Sequence, residues 1–146
     1  MVDRFYIQPA KGGKILMGVG HPKENELADP DDYSRTATPD FIEDVGQRLA
    51  QRFPEMADAR VVASWAGLYS ITPDWSIIVD KAPGIEGMYL AVGGSGHSFK
   101  LGPAIGLTLA EFIAEGETQT MDITDLRASR FDEDAMLKST YGGNRG

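Results

Sequence analysis

Phe41, Ile42, Val45, Leu49 and Phe53 recur at three- and four-residue steps, which lines one face of a helix with apolar side chains. Thr38 or Asp40 can cap its start, and Pro54 ends it. Before it, Arg4–Ile7 and Lys14–Val19 flank the Pro/Gly-rich Gln8–Gly13, the pattern of an antiparallel hairpin. From His21 to Pro39 neither the helical nor the strand period is present, so a surface loop is expected. Val61 to Tyr69 is a β-branched and aromatic, strand-like run, followed by the turn Thr72-Pro73-Asp74 and a short strand Ile77–Val79. Met88 to Val92 is apolar throughout, the pattern of a strand covered on both faces. It runs into a glycine-rich turn, and Gly102-Pro103 then opens a second helix. That helix runs from Ala104 to Glu115, with Ile105, Leu109, Phe112 and Ile113 as its core stripe and Gly116 as its stop. Met121 to Gly146 mixes charges with Tyr141-Gly142-Gly143 and predicts only a short helix and a loose end.

The length of 146 residues suits a single domain over residues 1–146, and a hydrophobic content of 42% can build a core. The excess of 22 acidic over 14 basic residues gives a formal charge of -8, which argues against attachment to nucleic acid or to an anionic membrane. With no cysteine, disulfides, thiolate metal sites and a cysteine nucleophile are excluded. No apolar run reaches the roughly 18 residues of a membrane span. The first residues read as a strand with no leader ahead of them, so the default expectation is a cytoplasmic protein.

The chemistry concentrates in Ala91–Gly106, AVGGSGHSFKLGPAIG, a strand end passing through a glycine-rich turn into a helix. A dinucleotide turn needs G-x-G-x-x-G, and Gly94-x-Gly96-x-x-Phe99 lacks the third glycine. A P-loop needs G-K-[ST], and only the lysine of Ser98-Phe99-Lys100-Leu101 meets it. The hydrolase elbow G-x-S-x-G comes nearer at Gly93–His97 but ends in histidine. With only His21 and His97 in the chain, no base is well placed for Ser95.

Gly93, Ser95, Gly96, His97, Phe99, Lys100, Pro103 and Gly106 fall in step with the pattern G-F-S-G-H-G-F-K-x-A-P-x-x-G. In this the segment resembles the C-terminal flavin-binding signature of the D-amino-acid oxidase-like FAD oxidoreductases, a family that includes sarcosine and glycine oxidases. The departures are Gly94 for Phe, Ser98 for Gly and Gly102 for Ala. Trp65-Ala-Gly-Leu-Tyr69 with Thr72-Pro-Asp74, the Gly12-Gly13 hairpin and Ser129-Arg130-Phe131 extend the resemblance over nearly the whole chain. It implies an α+β fold, a mixed and largely antiparallel sheet with two main helices, forming the C-terminal part that completes the substrate domain and closes over the flavin.

The resemblance also implies FAD as cofactor and a small amine or amino-acid substrate oxidised by hydride transfer to the flavin, leaving an imine that water hydrolyses. A reduced flavin gains negative charge along one edge, and a turn rich in N–H groups, a helix N-terminus and an ammonium suit that edge. Gly93, Gly94, Ser95, Gly96, His97, Ser98, Phe99 and Lys100 are therefore the candidate cofactor contacts. Lys100 and Tyr69 are the candidate catalytic residues, Lys100 to hold a substrate carboxylate and Tyr69 as a pocket wall. Each has a plainer reading, Lys100 as a solvated lysine and Tyr69 as core. His97 can serve the cofactor or the turn's own carbonyls.

In the glycine oxidase branch an arginine clamp stands where this chain has Tyr69, and a second clamp position falls at Gly96. The resemblance therefore points to a sarcosine, dimethylglycine or proline type of amine. Gly67 stands where some relatives have a flavin-linked cysteine, so the cofactor is expected to be non-covalent. Trp65 and Trp75 read as packing residues, and Asp74 and Asp80 as structural carboxylates rather than pocket groups. No metal site is expected.

The family's N-terminal dinucleotide-binding half has no counterpart in residues 1–146. Its absence leaves three expectations: a fragment of a longer oxidoreductase, one subunit of a split enzyme, or a free-standing, non-catalytic binding module of the same fold. The missing half is the expected partner, FAD is expected not to stay on the isolated chain, and an uncovered strand edge favours self-association as a homodimer.

Overall fold

The structure is a computed structural model that describes residues 5–19 and 27–138. The chain divides into two compact units, one ending at Leu68 and the other beginning at Tyr69. It is α+β, with two α-helices and antiparallel strand pairs among the described residues.

In the first unit, β1 (Phe5–Ala10) pairs antiparallel with β2 (Lys14–Val19), from Phe5 opposite Val19 to Ala10 opposite Lys14. Gln8–Ala10 was expected in the turn and belongs to the strand. An edge strand tolerates Pro9, and the reversal needs only Lys11-Gly12-Gly13, whose two glycines take φ of 73° and 67°. Arg4 and His21 lie outside the described residues. Helix α1 (Pro39–Arg52) starts where the capping pattern put it, with Thr38 Oγ1 accepting from the Phe41 N–H at 3.3 Å. It ends as the Phe53 N–H reaches the Leu49 carbonyl at 2.8 Å, ahead of the short 3₁₀ turn Pro54–Met56. Leu49 is buried, and Arg48 holds Asp44 one turn back at 2.8 Å on the outer side.

The run Val61–Tyr69 forms no strand. A ladder needs a neighbour, and among the described residues this segment has one backbone bond across the loop, Ala66 N–H to the Arg35 carbonyl at 2.9 Å. Trp65 is consequently 65% exposed instead of packed.

In the second unit, β3 (Ile78–Lys81) pairs antiparallel with β4 (Tyr89–Val92), Ile78 opposite Val92 and Lys81 opposite Tyr89. Helix α2 (Gly102–Glu115) follows a 3₁₀ turn at Phe99–Leu101 and closes at Gly116, whose φ of 80° places it where glycine is favoured. Phe112 meets Tyr89 edge to face at 5.6 Å, and Ile105 and Leu109 are half-buried with it. Ile113 is exposed, and Thr108 is the residue of this helix that is fully buried.

Two further expectations are corrected here. β4 is not covered on both faces, because Ala91 and Val92 are exposed and β3 is its single strand neighbour among the described residues. The core is also thinner than the composition suggests: Leu49, Val79, Ala82 and Ile123 are the buried apolar side chains among the described residues. Two-stranded sheets offer too little surface to bury the remainder. Beyond α2 the chain makes 3₁₀ turns at Thr124–Leu126 and Ala128–Phe131, and Tyr141–Gly143 lies outside the described residues. Among the described residues, no helix is long and apolar enough to cross a membrane.

Candidate functional site

The glycine-rich turn leaves the end of β4 at Gly93 and delivers the chain to α2, bending at three consecutive positive φ values when Gly94 is set aside: Gly93 71°, Ser95 48° and Gly96 80°. Two of these positions are crowded as well as at positive φ, Gly93 the more severely. A Cβ on Gly93 would overlap the Thr72 methyl, and one on Gly96 would lie 3.1–3.2 Å from the Tyr69 ring. Tyr69 and Gly96, far apart in sequence, are thus brought together. Tyr69 is 64% exposed, so it is a surface wall beside the turn and not a core residue.

The turn holds itself by a few internal bonds. The His97 N–H donates to the Gly94 carbonyl at 3.1 Å, the Ser98 hydroxyl to the same carbonyl at 3.1 Å, and the Ser95 N–H to the Ser70 carbonyl at 2.9 Å. The N–H groups of Gly94 and Gly96 take no part in these bonds. Nδ1 of His97 is buried with no hydrogen-bond partner among the described residues, so it does not serve the turn's own carbonyls. Lys100 is exposed in the 3₁₀ turn that leads into α2, beside Phe99, which is 100% exposed.

Behind the turn lies a buried polar knot. Arg130 is fully buried and grips Asp74 with two bonds, Nε to Oδ2 at 2.7 Å and Nη2 to Oδ1 at 3.0 Å. Its other protons go to the carbonyls of Ser76 (2.7 Å), Leu126 (3.0 Å) and Arg127 (2.9 Å), and the guanidinium lies 4.2 Å from the Phe131 ring centre. Burial pushes the Asp74 carboxyl upward, but the Arg130 bond and the N–H groups of Ser76 and Leu137 outweigh it and hold the pKa at about 2 against a usual 3.8. Asp74 is thus a structural carboxylate, as its turn position suggested. Asp80 is another, accepting from the Ala128 N–H at 2.8 Å. The Arg130 anchor itself could not be read from one sequence. Its trace was a lone match at Ser129-Arg130-Phe131, far from Asp74 along the chain.

A shallow cleft elsewhere in this unit is lined by Val79, Phe112, Gly116, Asp122 and Arg127. Its charges are already engaged: Asp122 accepts from Thr124 at 2.6 Å and Arg127 pairs with Glu133. It presents no convergent free group, and the described residues hold no cluster suited to a metal.

A protein-family model described as FAD dependent oxidoreductase matches residues 2–112. The chain belongs to the DAO family of FAD-dependent oxidoreductases. N-methyl-L-tryptophan oxidase of Salmonella typhi is 42% identical over 136 residues, covering 90% of this chain and 34% of the oxidase. FAD-dependent oxidoreductase domain-containing protein 1 of Bos taurus is 37% identical over 124 residues, covering 82% of this chain and 24% of that protein. The crystal structure of L-proline dehydrogenase from P. horikoshii superposes on 92% of this chain and 34% of that one, with a TM-score of 0.77 at 27% identity. The chain thus spans about a quarter to a third of the length of these DAO-family relatives.

The family implies FAD, and the turn's residues fit such a group. Two N–H groups without a partner among the described residues, an exposed ammonium and glycines that keep side chains out of the way suit the electron-rich edge of a flat ring.

Proposed function

We propose that this chain forms the C-terminal, flavin-closing part of a FAD-dependent oxidoreductase that acts on an amine or imino acid, with Gly93–Lys100 lying along the isoalloxazine. The observation that carries this reading is a glycine-rich turn whose Gly94 and Gly96 N–H groups have no partner among the described residues and which leads past the exposed Lys100 into α2. When bound, the flavin supplies two-electron acceptance from the carbon that bears the amine. The chain's own part is electrostatic: the N–H groups and the Lys100 ammonium stabilise negative charge at the ring edge and on a substrate carboxylate.

Tyr69 walls the substrate side, its ring lying where a side chain at position 96 would otherwise stand. A tyrosine ring cannot make the two parallel hydrogen bonds by which an arginine holds a carboxylate. A substrate carboxylate is left to the single Lys100 ammonium, and the substrate class we favour, a secondary or tertiary amine, is the one the family resemblance implies. The names of the relatives, N-methyl-L-tryptophan oxidase and L-proline dehydrogenase, agree with that substrate class.

The remaining two thirds or more of such a flavoprotein is the partner this surface fits. The bare Phe99, the exposed Val92 and the side of β4 with no strand neighbour among the described residues are features of a surface that another part covers. Without that part the chain alone is expected to retain no FAD and to self-associate. Purification alone and with the dinucleotide-binding half, followed by visible spectra, tests this: flavin absorbance is expected only in the combined sample. Stoichiometric flavin on the isolated chain overturns the reading. In the combined sample, Lys100→Met is expected to raise KM for a carboxylate-bearing amine about tenfold or more, with thermal unfolding unchanged.

A further inference from the structure

Ser95 stands inside the turn that the proposed function assigns to the cofactor, yet it faces the other way. It is 3% exposed, and both its hydroxyl and its N–H are engaged on the protein side. The Oγ donates to the Gly93 carbonyl at 3.1 Å and accepts the Thr72 N–H at 3.3 Å, while the Ser95 N–H goes to the Ser70 carbonyl at 2.9 Å. Thr72, 6% exposed, uses its own hydroxyl proton on the Ser76 carbonyl at 2.9 Å. Each hydroxyl has one proton, and both are committed, so the 3.4 Å approach of the two oxygens is close packing between satisfied groups. The Thr72 methyl occupies the space that a Cβ on Gly93 would need. Thr72 in turn belongs to the 72–76 bend, in which the Trp75 N–H closes on the Thr72 carbonyl at 3.0 Å and Asp74 is gripped by Arg130.

We propose that Ser95 and Thr72 form a latch that sets the shape of the cofactor turn before any cofactor arrives, which makes Ser95 a positioning residue and not a flavin contact. The proposal rests on the reading of Gly93–Lys100 as the flavin-contacting turn. The physical reason is conformational. At φ 48° a serine sits in the left-handed region at a cost, and the three hydrogen bonds of Ser95 hold it there. With Ser95 fixed, the N–H groups of Gly94 and Gly96 keep their directions, and binding loses less entropy in ordering them. The Asp74–Arg130 pair anchors the other end of the latch, which gives the separate matches at Thr72-Pro-Asp74 and Ser129-Arg130-Phe131 one shared purpose.

The test uses Ser95→Ala and Ser95→Gly, read by amide hydrogen exchange on the chain and by FAD affinity in the combined flavoprotein. Both variants are expected to speed exchange at residues 95 and 97 about tenfold and to weaken FAD binding about tenfold, the weight of one or two buried hydrogen bonds, with β3 and β4 amides unchanged. Ser95→Gly separates the two forces, since glycine relieves the positive φ while removing the hydroxyl. Tighter FAD binding by that variant overturns the latch. So does unchanged exchange at the turn, faster exchange with unchanged FAD affinity, or exchange that rises equally in β3 and β4. If the unaltered combined protein takes up no FAD, the functional reading fails, and the exchange measurement alone still decides whether the latch exists.

Discussion

Two bends of the same unit, 72–76 and 93–98, each hold a non-glycine residue at positive φ, Trp75 at 59° and Ser95 at 48°. Their polar groups are used in opposite ways. In the first bend a carboxylate, a guanidinium and the surrounding carbonyls saturate one another, with Asp74 and Arg130 at 1% and 0% side-chain exposure. In the second, the Ser95 hydroxyl and N–H are satisfied on the Thr72 side, while Gly94, Gly96 and the His97 ring keep groups without partners among the described residues. Strained backbone marks both, so strain alone does not identify a site. The distinguishing mark is whether the neighbouring polar atoms are satisfied.

The comparison breaks most sharply at Arg130. Arg130→Met leaves the Asp74 carboxylate buried without its partner and is expected to cost about 3–5 kcal/mol, measured by urea unfolding. A loss below about 1 kcal/mol would show that the first bend is not held by this pair. Acid sharpens the same point. Because the Asp74 pKa is held at about 2 in the folded chain against 3.8, its contribution is fully present above about pH 4 and is lost as pH falls from there through about 2. Asp74→Asn is expected to flatten the stability profile across that window, and a slope identical to that of the unaltered chain contradicts the assignment.

At the second bend, Gly93→Ala meets both the positive φ and the Thr72 methyl, and about 2 kcal/mol of destabilisation is expected from thermal or urea unfolding. The smallest effect serves as the reference away from both bends. Thr38→Ala removes the α1 cap and is expected to cost about 1 kcal/mol, with no change in FAD affinity of the combined protein. Loss of FAD affinity in that variant would mean that affinity follows general stability and not the turn.

Much of the fold was legible in the chain because it is written locally. The cap at Thr38, the stop at Gly116, the paired glycines at 12 and 13 and the strand before the glycine-rich turn are each set by residues within a few positions of one another. The strand expected at Val61–Tyr69 and the two-faced cover expected for Met88–Val92 fail for one reason. Apolar character states what a residue favours and not which neighbours it meets, and among the described residues Val61, Val62, Trp65, Tyr69 and Val92 stay exposed.

The sequence by itself determined the family, the order of the elements and the position of the turn, since all of these follow from residue types at short spacing. Only the tertiary structure decided that Ser95 faces Thr72, that Tyr69 lies against Gly96 and that Arg130 reaches back to Asp74. Those contacts join residues 23 to 56 positions apart, with Tyr69 and Gly96 between these limits. No local pattern carries such a pairing. It follows from the directions in which two bends present their side chains once the strands between them have formed.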